Sequence, residues 1–466
     1  MRSKSRAVGT RQGRKRGRTA LNRVNRSAAG IDCGASHHYV AVSPQRDPQS
    51  VRRFETFTDG LNRLADWLES CKVKTVAMEA TGVYWLPVYE ILEERGIEVL
   101  LVNARHVKNV PGRKSDVSDC EWLRDLHSVG LLRGSFRPTA KIASLRSLLR
   151  HRETLVQSTT TLINRMQKAL LQMNVHLRVV LSNLTGNTAM AIIRDIAQGN
   201  TDPQQLAKHR DPRCKATEEQ IRSALSGHYR PEHIFVLKQN LDLYEALQQQ
   251  IQACDTQIEA YLTELARSSP PPKVALAPVP SRRKPSPNEP RFDIRTSLFQ
   301  LCAADISQLD GFGPYNGLRL ISEIGIDMSP WRTERHFTSW LTLAPNNRVS
   351  GGRLLSSRTQ PAANRAAAIL RMAAMSLTRT QTALGAFYRR LAVRIGKPKA
   401  ITATARKLAI LVYRLLKGEL VYQDPGAATY DERQRQIILK SLRRRASHLG
   451  FHLVNGQTGE ILDGVS

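Results

Sequence analysis

Residues 73–102 read VKTVAMEATGVYWLPVYEILEERGIEVLLV. Val73–Met78 is a short apolar strand, Leu86–Glu94 carries helical spacing and is stopped by Gly96, and Ile97–Val102 is another strand of the buried type. Outward from this β–α unit, Ala28–Ser43 and Val51–Phe57 have strand character and join through a turn around Pro44–Gln49. Leu61–Glu69 is expected as a helix, and a polar loop after Val102 leads into a helix from about Asp116 to His127. Hairpin strands first and β–α units afterwards predict a mixed sheet covered by helices over residues 28–140.

The pattern then changes. From Lys141 to about Leu177 the apolar residues Ile142, Leu145, Leu149, Leu155, Leu162, Met166, Leu170 and Met173 follow a helical period. A second long helix is expected from about His233 to Arg267. Ile234, Leu241 and Leu262 are spaced by multiples of seven, as are Leu237, Tyr244, Ile251, Ile258 and Leu265; Gln248 and Asp255 put polar groups at two heptad positions. Periodicity fits a coiled-coil arm over 141–267 and two ordinary bundle helices equally well. Ser268–Pro290 holds eight prolines and reads as a stiff solvated linker, 268–293, separating two halves. Residues 294–450 are mostly helical by pattern and strongly basic, and 451–466 form a tail.

The whole chain has 466 residues, enough for roughly three domains. Its 70 Lys+Arg against 40 Asp+Glu give a net charge of +30, which points to a polyanionic partner, most simply nucleic acid. No apolar run approaches the ~20 residues of a membrane span, so no bilayer crossing is expected. The first 26 residues carry ten Lys/Arg and no acid, without an apolar segment behind them, which excludes a secretory signal. A disordered basic arm, 1–27, is a simpler reading than a transit peptide. Cys33, Cys71, Cys120, Cys214, Cys254 and Cys302 are scattered, with no C-x-x-C pair, so neither a disulfide framework nor a zinc site is expected.

Four carboxylates stand out in the first domain. Asp32 follows the apolar Ala28-Ala29-Gly30-Ile31, Glu79 ends the strand Val76-Ala77-Met78, and Asp116 and Asp119 share one face at the start of a helix. Acids at neighbouring strand ends and on one helix are the parts of a divalent-metal site; two Mg²⁺ ions ~3.5–4 Å apart can clamp the attacking and leaving oxygens of a phosphodiester. Each acid also has a structural reading: a turn at Asp32, a solvated strand end at Glu79, a helix cap and its partner at Asp116 and Asp119. His37 and His38 are adjacent on a strand, point to opposite faces and read as structural.

The stretches MEATGVYW at 78–85 and LVNARHVKNVPGRKSD at 101–116 closely resemble the DEDD transposases of bacterial insertion sequences, the family numbered one hundred and ten, whose members are guided by a bridge RNA. The C-terminal half is more similar to that family's eleven-eleven subgroup, and the resemblance covers about residues 28–450. It implies an RNase H-like, RuvC-like N-terminal domain in which Asp32, Glu79, Asp116 and Asp119 hold Mg²⁺, with Mn²⁺ as a substitute. It implies no other cofactor.

In the second half, Leu309-Asp310-Gly311-Phe312-Gly313-Pro314 precedes an apolar helix. A glycine-rich turn opening a helix can offer N–H groups to a phosphate, or serve only as a tight turn. Leu343-Ala344-Pro345-Asn346-Asn347-Arg348-Val349-Ser350-Gly351-Gly352-Arg353 is by composition a polar loop. The family resemblance matches Ser350-Gly351 to a Ser-Gly motif whose serine is the nucleophile, ahead of the neighbouring Ser356 and Ser357. Ala363 departs from the glycine usual in relatives. Arg348 and Arg353 are candidates for stabilising phosphate charge. Expected nucleic-acid contacts are Arg105, Lys108, Arg113, Lys114, Gly311, Gly313, Arg348, Arg353, Arg406 and Lys407, the last two in a basic helical stretch with Lys397, Lys399 and Arg414.

The resemblance implies a transposase that moves an insertion sequence in the bacterial cytoplasm, at the nucleoid. It would act as a homotetramer on donor and target DNA, directed by a structured noncoding guide RNA. Two rival readings use fewer of these features. A RuvC-like structure-selective endonuclease needs the four acids but not Ser350, and a non-catalytic nucleic-acid-binding protein needs only the charge.

Overall fold

A five-stranded sheet organises the first part of the computed structural model, which describes residues 22–80, 82–103, 116–278, 288–361 and 364–459, with backbone alone at 116–118. The chain divides into two units, residues 1–137 and 138–466.

In the first unit β1 (Ala28–Cys33), β2 (His37–Ala41), β3 (Val51–Glu55), β4 (Thr75–Glu79) and β5 (Glu98–Val102) lie in the order β3-β2-β1-β4-β5. The β1–β2 and β2–β3 pairs are antiparallel, whereas β4 runs parallel to both β1 and β5. The expected single strand over 28–43 is in fact two. Gly34 donates its N–H to the His37 carbonyl (3.1 Å), closing a tight turn. A Cβ at Gly34 would stand 2.6 Å from that carbonyl oxygen, so the turn needs glycine.

Three helices cover the sheet: α1 (Thr58–Ser70), α2 (Trp85–Glu94) and α3 (Asp116–Ser128). Strand alternation sorts the residues between them. Ala29, Ile31, Val40, Val76 and Met78 form one core with Leu61, Leu64 and Leu68 of α1 and Val88 and Leu92 of α2. The intervening small residues Gly30 and Ala77 therefore face α3. A Cβ on Gly30 would lie 2.2 Å from the carbonyl oxygen of Cys120, in the middle of that helix. The far end of α3 is tied down by Val24 and Asn25, whose N–H groups donate to the Ser128 carbonyl (2.8 and 2.9 Å). Ordered structure thus begins before residue 28, because the C-terminal carbonyls of α3 need donors; residues 1–21 lie outside the described residues.

In the second unit the long helices α4 (Ala140–Gln172) and α9 (Pro231–Arg267) pack antiparallel, with the Tyr261 hydroxyl donating to the Lys141 carbonyl (3.0 Å) near one end. Between them in sequence, α5 (Leu177–Val180), α6 (Asn187–Ala197), α7 (Pro203–Ala207) and α8 (Glu218–Ala224) form a cap. Ile192, Ile196, Leu206 and Ile221 join Met166 and Leu237 in its core. Of the two polar heptad positions, Gln248 is exposed, whereas Asp255 pairs with the buried Arg152.

The proline-rich stretch does not divide the chain into halves. Beyond it lie α10 (Ile294–Cys302) and α11 (Pro314–Ile324). Arg152 of α4 donates to the Asn288 carbonyl (2.9 Å) and the Tyr315 hydroxyl (3.0 Å), and Arg150 pairs with Glu323 (2.6 Å). These bonds hold the long helices and the following domain in one unit. The chain continues through α12 (Glu334–Trp340), the hairpin β6 (Arg348–Ser350) and β7 (Arg353–Ser356), and α13 (Arg365–Ser376). It closes with α14 (Ala383–Ile395), α15 (Lys397–Leu416) and α16 (Gly426–His448). Trp331, Phe337 and Tyr413 form an aromatic core beneath them. No helix among the described residues is long and apolar enough to cross a membrane.

Candidate active site

Asp32 is two residues beyond Gly30 on β1 and therefore on the α3 face of the sheet. Glu79 occupies the same face of β4. The parallel register pairs Ile31 with Met78, so Asp32 and Glu79 are the next pair along, side by side at the strand ends. Both are half-buried. Their joint field is felt by Cys33, whose thiol is pushed up to about 12 by burial first and then by the charges of Asp32 and Glu79.

Helix α3 runs back along this face against the direction of β1. Cys120 packs at Gly30, and its thiol is pushed up to about 12 by burial, by Glu121 and by Asp32. At the other end His127 meets Thr75 at the start of β4 (2.8 Å). From Cys120 back to residue 116 is about 6 Å of helix, and from Gly30 on to Asp32 is about 6–7 Å of strand. The start of α3, with Asp116 and the exposed Asp119, is therefore brought to the strand ends that carry Asp32 and Glu79. The side chain of Asp116 and the whole of Arg105, Lys108, Arg113 and Lys114 lie outside the described residues. Among the described residues, no three His, Cys, Asp or Glu side chains form a ready metal-binding group. Asp32, Glu79 and Asp119 nevertheless supply the hard oxygen donors that Mg²⁺ takes. His38 is buried and His37 bonds Ser36, so neither contributes to that donor set.

In the second unit Ser350 is not in an irregular loop. It ends β6, directly opposite Arg353 of β7. Gly351 and Gly352, with φ of +54° and +75°, make the two-residue turn between them. Paired residues of a hairpin share a face, and so do residues two apart on a strand. Ser350 and Arg353 thus share one exposed face, and Arg348, also exposed, lies across a register shift between Arg348 and Val349. Ser356 accepts a hydrogen bond from the Arg358 N–H (3.3 Å), a structural role within the hairpin base.

The glycine-rich turn before α11 is shaped by packing. Gly311 has φ +82°, and a Cβ there would lie 2.6 Å from the Ala373 carbonyl oxygen, which accounts for the glycine without a ligand. Gly313 is buried. Asp310 in the same turn has its carboxyl raised by burial and accepts a hydrogen bond from the Tyr422 hydroxyl (2.7 Å). On α15, Arg406 is half-buried and Lys407 is exposed, its ammonium 5.9 Å from the Phe387 ring. Arg414 is engaged with Glu334 (2.8 Å).

Residues 29–175 match the family model of the IS110-type DEDD transposases, described as a transposase. Residues 303–389 match the model described as the transposase IS116/IS110/IS902 family. Together the two matches span about half of the chain. The chain belongs to the IS110 family of transposases. A comparison with curated proteins gave no match.

As a transposase of an insertion sequence, the IS110 protein acts on DNA. Its first matched region contains Asp32, Glu79, Asp116 and Asp119, and its second contains the Ser350 hairpin. The Gly351-Gly352 pair between Val349 and Leu354 is the signal that would have revealed the hairpin from sequence. The basic run of α16 lies on a helix with no buried residue, which the overall positive charge of residues 294–450 does not single out in the sequence.

Proposed function

We propose that this transposase breaks and rejoins DNA with Ser350 as nucleophile, on strands chosen by pairing to a structured guide RNA. The observation that carries the reading is the position of Ser350 at an exposed hairpin tip, paired with Arg353. The Ser350 Oγ attacks a DNA phosphorus, forming a P–O bond to the protein as the bond to the 3′ oxygen breaks. The serine proton is transferred to that departing oxygen, which leaves as a 3′ hydroxyl. Arg348 and Arg353 balance the charge that builds on the phosphoryl oxygens. Attack of a different 3′ hydroxyl on the phosphoserine ester reverses the step on the new strand, so the bond energy is conserved.

Asp32, Glu79, Asp116 and Asp119 are the residues that would hold Mg²⁺, with Mn²⁺ as a substitute. A divalent ion held by these residues would supply charge neutralisation at the phosphate. The sheet order, with three antiparallel strands followed by two parallel ones, supports an RNase H-like reading of this domain. Two DNA partners and several exchanged strands call for more than one copy of the chain, in keeping with a homotetramer. In that reading the protein contacts guide and DNA through backbone and shape.

The test is excision of a marked element in a bacterial host by the wild type, Asp32→Ala and Ser350→Ala. Loss of excision in both variants is expected. Retained excision in Ser350→Ala would remove the serine as nucleophile in favour of a water-using, RuvC-like reaction, and retained excision in Asp32→Ala would remove the carboxylates from the chemistry.

A further inference from the structure

Helix α16 spans 23 residues and none of them is buried. Its first turns are anchored on α14: Arg390 donates to the Tyr430 hydroxyl (3.0 Å), and the Tyr430 ring meets Phe387 edge-on at 6.3 Å. Past Tyr430 the helix leaves this anchor. From Gln434 to His448 it carries Arg435, Lys440, Arg443, Arg444 and Arg445 and no acid. Ile438 and Leu442, four residues apart and hence on one face, are 53% and 43% exposed. A helix of this length gains little from its own hydrogen bonds in water and draws its stability from a packed face. Here Gln434, Leu439, Ser441, Arg443 and Ala446 are only half-buried, and Ile437, Ile438 and Leu442 stay exposed.

We infer that α16 is a DNA-docking helix that lies in the major groove of duplex DNA. Three features select that occupant. Five cations without an acid over fifteen residues complement a polyanion. The apolar stripe of Ile438 and Leu442 is flanked by Arg435 and Arg445, so pairing it with the same stripe of a second copy would set arginine against arginine. A helix with its side chains is about 10–12 Å across, which fits the B-form major groove of about 12 Å, where apolar side chains can meet thymine methyl groups. The deep, narrow major groove of A-form RNA does not admit it. The inference rests on DNA being the substrate and is independent of the serine chemistry and of the guide RNA.

The test measures binding of the full chain, without divalent metal, to a 30-base-pair duplex of about that length as DNA and as RNA, over a salt series. The variant is Arg435→Gln/Lys440→Gln/Arg444→Gln/Arg445→Gln, with melting and helicity as fold controls; the four side chains are exposed. A charge-matched control removes Arg178, Lys208, Arg213 and Lys215 from the cap of the long helices. The α16 variant is expected to lose at least about tenfold in DNA affinity, with the salt slope reduced by about 2–4, while the control and RNA binding change little. Equal losses on DNA and RNA, or equal losses in the control, would overturn the groove reading. So would a change in oligomeric mass in Ile438→Gln/Leu442→Gln with DNA binding intact, which would make the stripe a contact between copies. Unchanged DNA affinity in every variant would also overturn it. Excision can fail or succeed without affecting this readout, so the two proposals are judged separately.

Discussion

Gly30 on β1 and Cys120 on α3 meet backbone to backbone: a Cβ on Gly30 would stand 2.2 Å from the Cys120 carbonyl oxygen and 2.4 Å from the Arg124 nitrogen. This contact sets how far the start of α3 reaches towards Asp32. Gly30→Ala must therefore displace the helix. Overpacking of this kind costs about 1–3 kcal/mol, and a shift of ~1 Å in a catalytic group can lower a rate by ~100-fold. Excision is expected to fall much more than stability, as measured by chemical unfolding alongside the excision assay.

Asp32 and Glu79 crowd two acids at adjacent strand ends. Neutralising one, as Asp32→Asn or Glu79→Gln, is expected to raise the melting midpoint of the first unit, residues 1–137, by a few degrees in chelator, about what 1 kcal/mol yields in a unit of that size. The same variants are expected to abolish any further rise on adding Mg²⁺ or Mn²⁺. Calorimetric melting with and without metal reads both effects, and a Mg²⁺-dependent rise that survives Asp32→Asn would place the metal elsewhere.

Arg152 is nearly fully buried on α4 and forms a bidentate pair with Asp255, while its guanidinium lies 5.1 Å from the Tyr315 ring. Asp255→Leu leaves that cation uncompensated, and a loss of about 3–5 kcal/mol is expected. Arg152→Met added to Asp255→Leu should recover much of it. Equilibrium unfolding of the two singles and the double variant measures the coupling.

His38 is buried on β2, its pKa lowered to about 4 by burial first and by the neighbouring charge of His37 second. The unfolded chain binds a proton there near pH 6.5, earlier than the fold does as pH falls. Stability contributed by neutral His38 is full above about pH 6.5 and is lost as pH drops towards 4, up to about 3 kcal/mol. Hydrogen exchange of the β1 and β2 amides at pH 7 and pH 5 checks this. The acid-side loss should shrink in His38→Gln.

Much of the first unit was legible because its strands are short apolar runs closed by polar residues. Asp32 and Glu79 were visible as the acids that end two such runs. The turn at Gly34 was hidden because His37, His38 and Tyr39 continue a strand-like composition across it. The serine hairpin was missed for the opposite reason: its strands are three and four residues long, too short for periodicity to register, and only the two glycines mark the turn. Arg152 reads as one more surface cation on a helix, since nothing local announces that Asp255, more than a hundred residues away, will bury it. Ser350 itself was singled out by family resemblance alone, and its pairing with Arg353 is a fact of the fold.

The most direct test of the serine mechanism is a denaturing gel of end-labelled junction DNA incubated with purified protein, Mg²⁺ and RNA transcribed from the element's flanking noncoding region. An RNA-dependent covalent protein–DNA species in the wild type, absent in Ser350→Ala, is the predicted result. Free cleaved ends with no adduct, unchanged in Ser350→Ala, would contradict it.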